Sequence, residues 1–496
     1  MKKKVLTALG LIALVVAGHG IAYYIVKIPS QLEIVALIGL ALFYPIVRNP
    51  LVGMYCVVAI APFIPFARRL YYLAYNRPDM DPLIMLGDLL LAFMLIGLFF
   101  EFRERHGEDR NIRRYLVAVM VYFAYLALRV VVFNRLPLTQ AVARFKFYGP
   151  PVLFFLVGVV YADRIRHLKR LWGVTIAVSV AAALYGVKQL YVGYSKAEQL
   201  WFSATDFTSL YIGDIARPFS LFQAPAAFAD YCQVGIIGVL LCVVWGKTPL
   251  RFVLLGLVPL LFYAILVTSV RSSWIGAIAS FGFWFVFLKV KGTGRRIGIM
   301  VGAVAAYLVL ESVVNAIGGG FSIGAILGAL TGGLGGSEYV DMLVASRTTA
   351  ITNPLGEHSF LSRLALWRYL LHLSREPVLA LMGRGLGALK ADSLYFTYLA
   401  EFGYPGVIFI IGILIAFIRR GLRAIDTSPN RDVVALAAGV CVMNTIFAII
   451  SITGTHIHSF PGDIYFWFWN GVMIKLSSLN RDENEAPTLN ESAAHT

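Results

Sequence analysis

Uninterrupted apolar runs of about 17–25 residues recur along this chain, each long enough to match the hydrocarbon thickness of a bilayer. A segment in hydrocarbon must satisfy its backbone groups internally, so runs of this kind fold as helices. They lie near 5–26, 31–47, 50–66, 82–100, 115–133, 147–162, 171–193, 226–246, 250–268, 272–288, 297–315, 391–418, 432–452 and 461–477. The reading is an all-α polytopic membrane protein with about 14 transmembrane helices. It forms a single transmembrane domain over 1–496, with one large extramembrane loop over 316–390. Only 14% of the 496 residues are charged, against roughly 25% in soluble domains, too few to cover a water-facing surface. The opening "MKKKVLTALGLIALVVAGHG" has the charge and apolar run of a signal peptide, but the run continues to about Val26, which predicts a retained first helix.

The net charge of +16 is distributed unevenly. Alternate loops are basic: "KKK", "FRERHGEDRNIRR", "ADRIRHLKR", "KVKGTGRR" and "IRRGLR". By the positive-inside rule they face the cytoplasm, and so do both termini. Cys56, Cys232, Cys242 and Cys441 all fall inside apolar runs with no CxxC pair, and read as small buried hydrophobes.

The opposite side carries cations that this rule should thin out: Arg68, Arg69, Arg144, Lys146, Arg217, Arg271, and, toward the end of the long loop, Arg347, Arg363, Arg368, Arg375, Arg384 and Lys390. One reading is that they snorkel to headgroups. The other is that they handle an anionic ligand, since the guanidinium fork grips phosphate at two points and stays charged. Arg271, in "LVTSVRSSWIGAIAS", has an apolar span before it and only Ser272 and Ser273 before the next; at such a depth it must meet water, a carboxylate or a ligand. Arg217 lies in "IARPFSLFQAPAAFADY", where a loop enters a helix through Pro218 and Pro225. A salt bridge between helix ends would equally account for either.

The long loop begins with "GGGFSIGAILGALTGGLGG", in which Gly320, Gly324, Gly328 and Gly332 recur every fourth residue. It is a small-residue helical stripe or a linker. "HSFLSRLALWRYLLHLSREP" predicts an amphipathic helix ending before Pro377, with Leu361, Leu364, Trp367, Leu371 and Ser374 on one rough face. It would lie in the membrane interface or roof a cavity. "GRGLG" over 383–387 lets the backbone turn tightly and expose N–H groups, but lacks the strand-to-helix setting of a phosphate loop. Asp392 and Ser393 follow where a helix N-cap belongs. Asp392 reads as a cap or as a proton acceptor among cations.

Three segments in this order carry a resemblance. "ARPFSLFQAPAAFADY" resembles an Arg-x-x-Ser/Gly-x-Phe…Pro-Asn-x-Phe-Ala pattern, and "TSVRSSWIGAIAS" a Ser-Arg-Ser-x-Trp signature. "SRLALWRYLLHLSREPVLALMGRGLGALKADSLYFTYLAEFGYPG" resembles a Trp helix, Pro, Gly-x-Gly, His/Asp-Asn/Ser and Glu-x-Gly-x-x-Gly succession. Together, over roughly 215–410, they are similar to the O-antigen ligase and polymerase family of integral membrane glycosyltransferases. The chain departs from it at Asp392-Ser393, where many members, ligases especially, have His-Asn, and at Pro225-Ala226, where Pro-Asn is common. The first departure favours polymerase over ligase.

The resemblance implies a GT-C-type fold in a bacterial inner membrane and an undecaprenyl-pyrophosphate-linked glycan as donor and acceptor. It also implies inverting transfer on the periplasmic face without metal or cofactor, in the company of a flippase and a chain-length regulator, and without nucleic acid. By the resemblance Arg217 and Arg271 would hold the leaving pyrophosphate; from the outer-face reading, Arg347, Arg384, Lys390 and Ser393 are expected as further binding residues. The acceptor hydroxyl needs a base, for which Asp392 is the first choice and His358, beside Glu357 in the outer loop, the second. Glu401, nine residues after Asp392, falls about 180° away on an ideal helix, which predicts a packing or charge-pairing role. His456 and His458 resemble an H-x-H metal pair without a third ligand, and read as solvent-edge histidines. The rivals are an O-antigen ligase that moves polysaccharide onto lipid A-core, a transporter of lipid-linked sugars, for which no internal repeat is visible, and a nonenzymatic scaffold.

Overall fold

The computed structural model describes residues 30–75, 83, 85–101, 110–132, 138–204, 210–212, 215–246, 249–290, 292, 294–296, 298, 358–387 and 391–485. The helices, in chain order, are α1 (Ser30–Arg48), α2 (Pro50–Ile60), α3 (Ile64–Tyr75), α4 (Met85–Glu101), α5 (Arg110–Val131), α6 (Leu138–Tyr161), α7 (Ile165–Tyr191) and α8 (Lys196–Ala204). A two-residue antiparallel ladder, β1 (Tyr211–Ile212) with β2 (Ile215–Ala216), precedes α9 (Pro225–Trp245), α10 (Leu257–Val267) and α11 (Arg271–Lys289). Then come α12 (His358–Leu373), α13 (Pro377–Met382), α14 (Leu394–Thr427), α15 (Arg431–Ile450) and α16 (Gly462–Glu485).

Seven described helices are long and apolar enough to cross a membrane: Pro50–Leu73, Arg113–Val131, Ile165–Tyr191, Pro225–Trp245, Arg271–Lys289, Leu394–Thr427 and Arg431–Ile450. The protein is a helical membrane protein. The spans expected near 5–26 and 297–315 lie wholly or almost wholly outside the described residues, as do the glycine-rich segment, Arg347 and Lys390. His358 opens α12, and its side chain lies outside the described set too.

The chain divides into two compact units, residues 1–114 with 194–207, and residues 115–193 with 208–496. In the first, α1 packs on α4 and α2, with Phe43 edge-on to Phe93 at 5.0 Å. α3 packs on α8, where the Arg68 guanidinium lies over the Trp201 ring at 5.5 Å and Arg69 is 1% exposed.

In the second unit α6 packs on α16, α7 on α9 and α10, and α15 on both α14 and α11. α9 and α15 are the most enclosed of the membrane-length helices, and apart from a few polar residues such as Asp230, Gln233 and Asn444 their apolar sequences suit burial on all sides. Trp172 of α7 stacks on Trp469 of α16 with centroids 4.7 Å apart. Asn444 of α15 and Asn470 of α16 exchange amide hydrogen bonds of 2.7 and 2.9 Å, so two polar groups are satisfied in an apolar interior. Lys188, an isolated cation in a span, donates from Nζ to the Gly193 carbonyl at 2.8 Å just past the end of α7, where the helix dipole favours a cation.

α14 spans 34 residues and is interrupted at Gly403, which has φ 72° and is followed closely by Pro405. Opposite it, Gly383 (φ 64°) ends α13, and a Cβ built there would meet the Glu401 backbone at 2.5 Å. The two glycines let α13 cross the α14 kink backbone to backbone. α12 ends at Leu373, shortly before Pro377, near the sequence expectation. Its packed face differs from that expectation. Leu370 joins Ala391 and Ala400, with Leu366, Leu373 and Phe396 around them, and Trp367 stacks on Phe396 at 4.8 Å. Leu371 is 46% exposed, whereas Trp367 and Ser374 of the predicted stripe are packed; the inner face is completed by Leu366, Leu370 and Leu373 rather than by Leu371.

Candidate functional site

The site is built on the turn between α10 and α11. Thr268 caps the end of α10 by donating its hydroxyl to the Ile265 carbonyl at 2.7 Å, and accepts the Val270 N–H at 3.3 Å. Ser269 adopts φ 55°, a left-handed conformation uncommon for a non-glycine residue. Trp274 then ties α11 to α10 by donating its indole N–H to the Ile265 carbonyl at 3.1 Å. This gives the tryptophan of the Ser-Arg-Ser-x-Trp pattern a structural role. The chain leaves the turn at Arg271, the first residue of α11, which is half-buried.

Arg217 reaches this turn from another segment. Its backbone N–H donates to Leu210 at 2.8 Å beside the β1–β2 ladder, and its Nε donates to the Thr268 carbonyl at 2.8 Å. The loop that follows is held by Gln189 of α7, whose side-chain oxygen accepts the N–H groups of Phe219 and Ser220 at 3.1 and 2.7 Å. Ser220, at φ 52°, donates its hydroxyl to Ala182 at 2.5 Å. Arg217 and Arg271, distant in sequence, are thus brought to one turn.

Two residues on, α11 meets a buried acid and histidine. His456 Nδ1 lies 2.9 and 2.8 Å from the two carboxylate oxygens of Asp230, with both side chains below 5% exposure. Ser273 donates to Asp230 at 3.4 Å, and Ser272 Oγ stands 3.5 Å from His456 Nε2. His456 belongs to the α15–α16 link, residues 451–461, which also anchors α14: the Leu394 N–H donates to the carbonyls of Ser451 and Gly454, at 2.9 Å each. The starts of α9, α11 and α14 therefore converge on one end of the second unit.

At the start of α14, Asp392 is 63% exposed and pairs with Arg363 Nε of α12 at 3.5 Å. Neither Asp392 nor Ser393 caps the helix through its side chain; Ser393 is the backbone N-cap and is buried. The glycine loop does not present a free cradle. Arg384 N–H donates to the Ala400 carbonyl at 2.7 Å, and Gly387 N–H to Glu401 Oε1 at 3.0 Å. Glu401 also accepts the Tyr148 hydroxyl at 2.6 Å and pairs with Arg144 at 3.2 Å, while Arg129 donates to its carbonyl. This is the charge-pairing role expected for it.

The two link histidines are not at a solvent edge. His456 is 3% exposed. His458 lies against Tyr148 and Tyr398, ring centroids 4.8 and 5.6 Å away, and its Nε2 is 3.0 Å from the Tyr398 hydroxyl. Burial, with the nearby Arg144 charge, pushes the His458 imidazole down to about 3. The two rings take different partners, and among the described residues no three His, Cys, Asp or Glu side chains come together as a metal site.

No protein-family model matches the chain, and no curated protein matches its sequence. The residue that sequence reading passed over is Asp230. Its signal was a single carboxylate inside "AAFADYCQVGIIG", an intramembrane acid that requires a partner; the partner, His456, lies 226 residues away.

Proposed function

We propose that the chain is a membrane glycosyltransferase that polymerises undecaprenyl-pyrophosphate-linked oligosaccharide repeat units into O-antigen or exopolysaccharide, by inversion and without a metal ion. The reading includes about fourteen spans in a GT-C-type fold in a bacterial inner membrane, with the reaction on the periplasmic face and both termini cytoplasmic. A flippase would supply the donor, and a chain-length regulator is a fitting partner. The resemblance over 215–410 motivates this reading.

The observation that supports it best is the placement of both arginines at one turn, Arg217 through its bond to the Thr268 carbonyl and Arg271 three residues on as the first residue of α11. When a sugar hydroxyl attacks the anomeric carbon, negative charge develops on the departing pyrophosphate oxygen, and fixed cations act most strongly there. Asp392, held by Arg363 at the start of α14, is the proposed acceptor of the hydroxyl proton, a contribution of roughly 10²–10⁴ in rate.

The test is reconstitution of the purified protein with one lipid-pyrophosphate-linked repeat unit and no other acceptor. A ladder of multiples with released lipid pyrophosphate is the expected result. Transfer only after lipid A-core is added would replace the polymerase by the ligase, and no product in either case would sink the glycosyltransferase reading.

A further inference from the structure

The Asp230–His456–Ser272 chain is not used by the reaction as described so far. Asp230 and His456 are almost fully buried, with Nδ1 bonded to the carboxylate. That contact fixes Nδ1 as a donor, so Nε2 is the nitrogen aimed at Ser272 Oγ. The 3.5 Å separation is within what nucleophile and relay pairs show before a ligand tightens them. Unlike the other two, Ser272 is half-buried, so it is the member of the chain that a ligand can touch. It also directly follows Arg271 in the first turn of α11, where the helix dipole favours an anion. One turn further along α9, Gln233 is fully buried, and among the described residues neither of its amide atoms is hydrogen-bonded. The polar cluster therefore extends behind the dyad, into a region that packing alone would fill with apolar groups.

We infer that Ser272, backed by His456 and Asp230, forms part of the pyrophosphate site and relays a proton to the leaving group. This rests on the glycosyl-transfer reading above. In the step, the acceptor oxygen forms its bond to the anomeric carbon while the bond from that carbon to the pyrophosphate oxygen breaks, its electron pair staying on that oxygen. The Ser272 hydroxyl proton passes to the departing oxygen as the Nε2 proton of the imidazolium passes to Ser272 Oγ. The acceptor's own proton goes to Asp392. Asp392 then gives its proton to water and His456 takes one back from water, so the cycle closes with no net proton change on the protein and the imidazolium is again beside the Asp230 carboxylate. Ser272 is the catalytic residue here, while His456 and Asp230 act through it. A carboxylate–imidazole pair behind a hydroxyl is a recurrent arrangement by which a serine exchanges a proton with a reacting group. Here the adjacent Arg271 directs it to an anion.

The experiment measures both product affinity and turnover with the full-length protein in proteoliposomes, using lipid pyrophosphate as the binding probe and the lipid-linked repeat unit as donor. Ser272→Ala removes one half-exposed hydroxyl and keeps the fold. It is expected to weaken lipid pyrophosphate binding about 10-fold, as loss of a hydrogen bond to a charged group does. Turnover should fall about 100-fold or more. Ser272→Thr should recover both to within 10-fold. His456→Gln and Asp230→Asn should lower turnover as far as Ser272→Ala does, and no further when combined with it. Wild-type affinity and turnover in Ser272→Ala overturns the relay, whatever the histidine variant does. Equal weakening toward plain phosphatidylglycerol vesicles also overturns it, by marking a general headgroup contact. If the wild-type protein makes no product either alone or with lipid A-core added, the glycosyl-transfer reading falls and takes the relay with it. A wild-type ladder with an indifferent Ser272→Ala removes the relay alone.

Discussion

Glu401 and Arg144 form an ion pair at 3.2 Å in which the carboxylate is fully enclosed and the guanidinium is 23% exposed. The same carboxylate accepts the Gly387 N–H and the Tyr148 hydroxyl, so it joins α6, the glycine loop and the α14 kink. Removing one partner of a buried pair leaves the other uncompensated and costs about 3 kcal/mol or more. Glu401→Ala should lower the thermal unfolding midpoint in detergent accordingly. Glu401→Gln should fall less, because an amide oxygen still accepts from Gly387.

Gly383 is one of the two closest points of the α13–α14 crossing, with Gly403 opposite it. At φ 64° any side chain is strained, and its Cβ would meet the Glu401 carbonyl carbon at 2.5 Å. Gly383→Ala should destabilise by about 1–3 kcal/mol from backbone strain alone, and by more because the contact is with backbone that cannot swing away. Limited proteolysis within the Gly383–Gly387 loop should accelerate in the same variant.

Arg217 has two duties that substitution can separate. It bonds the Thr268 carbonyl through Nε, and in the proposed reaction it faces the pyrophosphate. Arg217→Ala and Arg271→Ala should each reduce polymer formation about 100-fold or more, with the protein still inserted and monodisperse in detergent. Arg217→Lys keeps the charge but not the planar fork. It should retain donor binding and recover only part of the turnover, read as a kcat loss larger than the KM change.

Much of this was legible in the sequence because apolar run length and isolated intramembrane charges have few interpretations. Arg217, Arg271 and Glu401 each announce themselves as ionised groups beside or within apolar spans. What joins them does not. Arg217 meets the α10–α11 turn through a backbone carbonyl, and any residue at 268 supplies one. Asp392 looked like a cap because aspartate before an apolar run usually is one, yet Ser393 takes the N-cap position and Asp392 turns outward to Arg363. His456 and His458 looked exposed because they sit in a polar link between spans. The link folds inward: its Ser451 and Gly454 carbonyls accept the Leu394 N–H, and both rings lie among the helix ends. On α12 the expected face holds at Trp367, which stacks on Phe396, and at buried Ser374, but Leu371 faces outward and Leu370 takes the inner position; leucines stand at 370 and 371 alike, so only the neighbour decides which is inside.

His458 makes the fold sensitive to acid in a definite direction. Its imidazole is pushed down from 6.5 to about 3 by burial, with the Arg144 charge adding to the effect. The neutral ring is therefore the one the fold holds, with Nε2 at the Tyr398 hydroxyl. Above the unfolded value of 6.5 both folded and unfolded chains carry a neutral ring, and His458 adds no pH dependence. As pH falls below 6.5 the unfolded chain binds a proton that the folded one refuses, so stability drops until about pH 3 and then levels off. Between pH 7.5 and 4.5 the loss should be about 3 kcal/mol. His458→Gln keeps an acceptor for Tyr398 and cannot titrate. Its unfolding midpoint at pH 7.5 should lie at or slightly below that of the wild type, and its drop at pH 4.5 should be visibly smaller. Parallel midpoints for the two proteins across this range would mean that the ring is protonated in the folded chain and that the Tyr148–Tyr398 contact is looser than its geometry indicates.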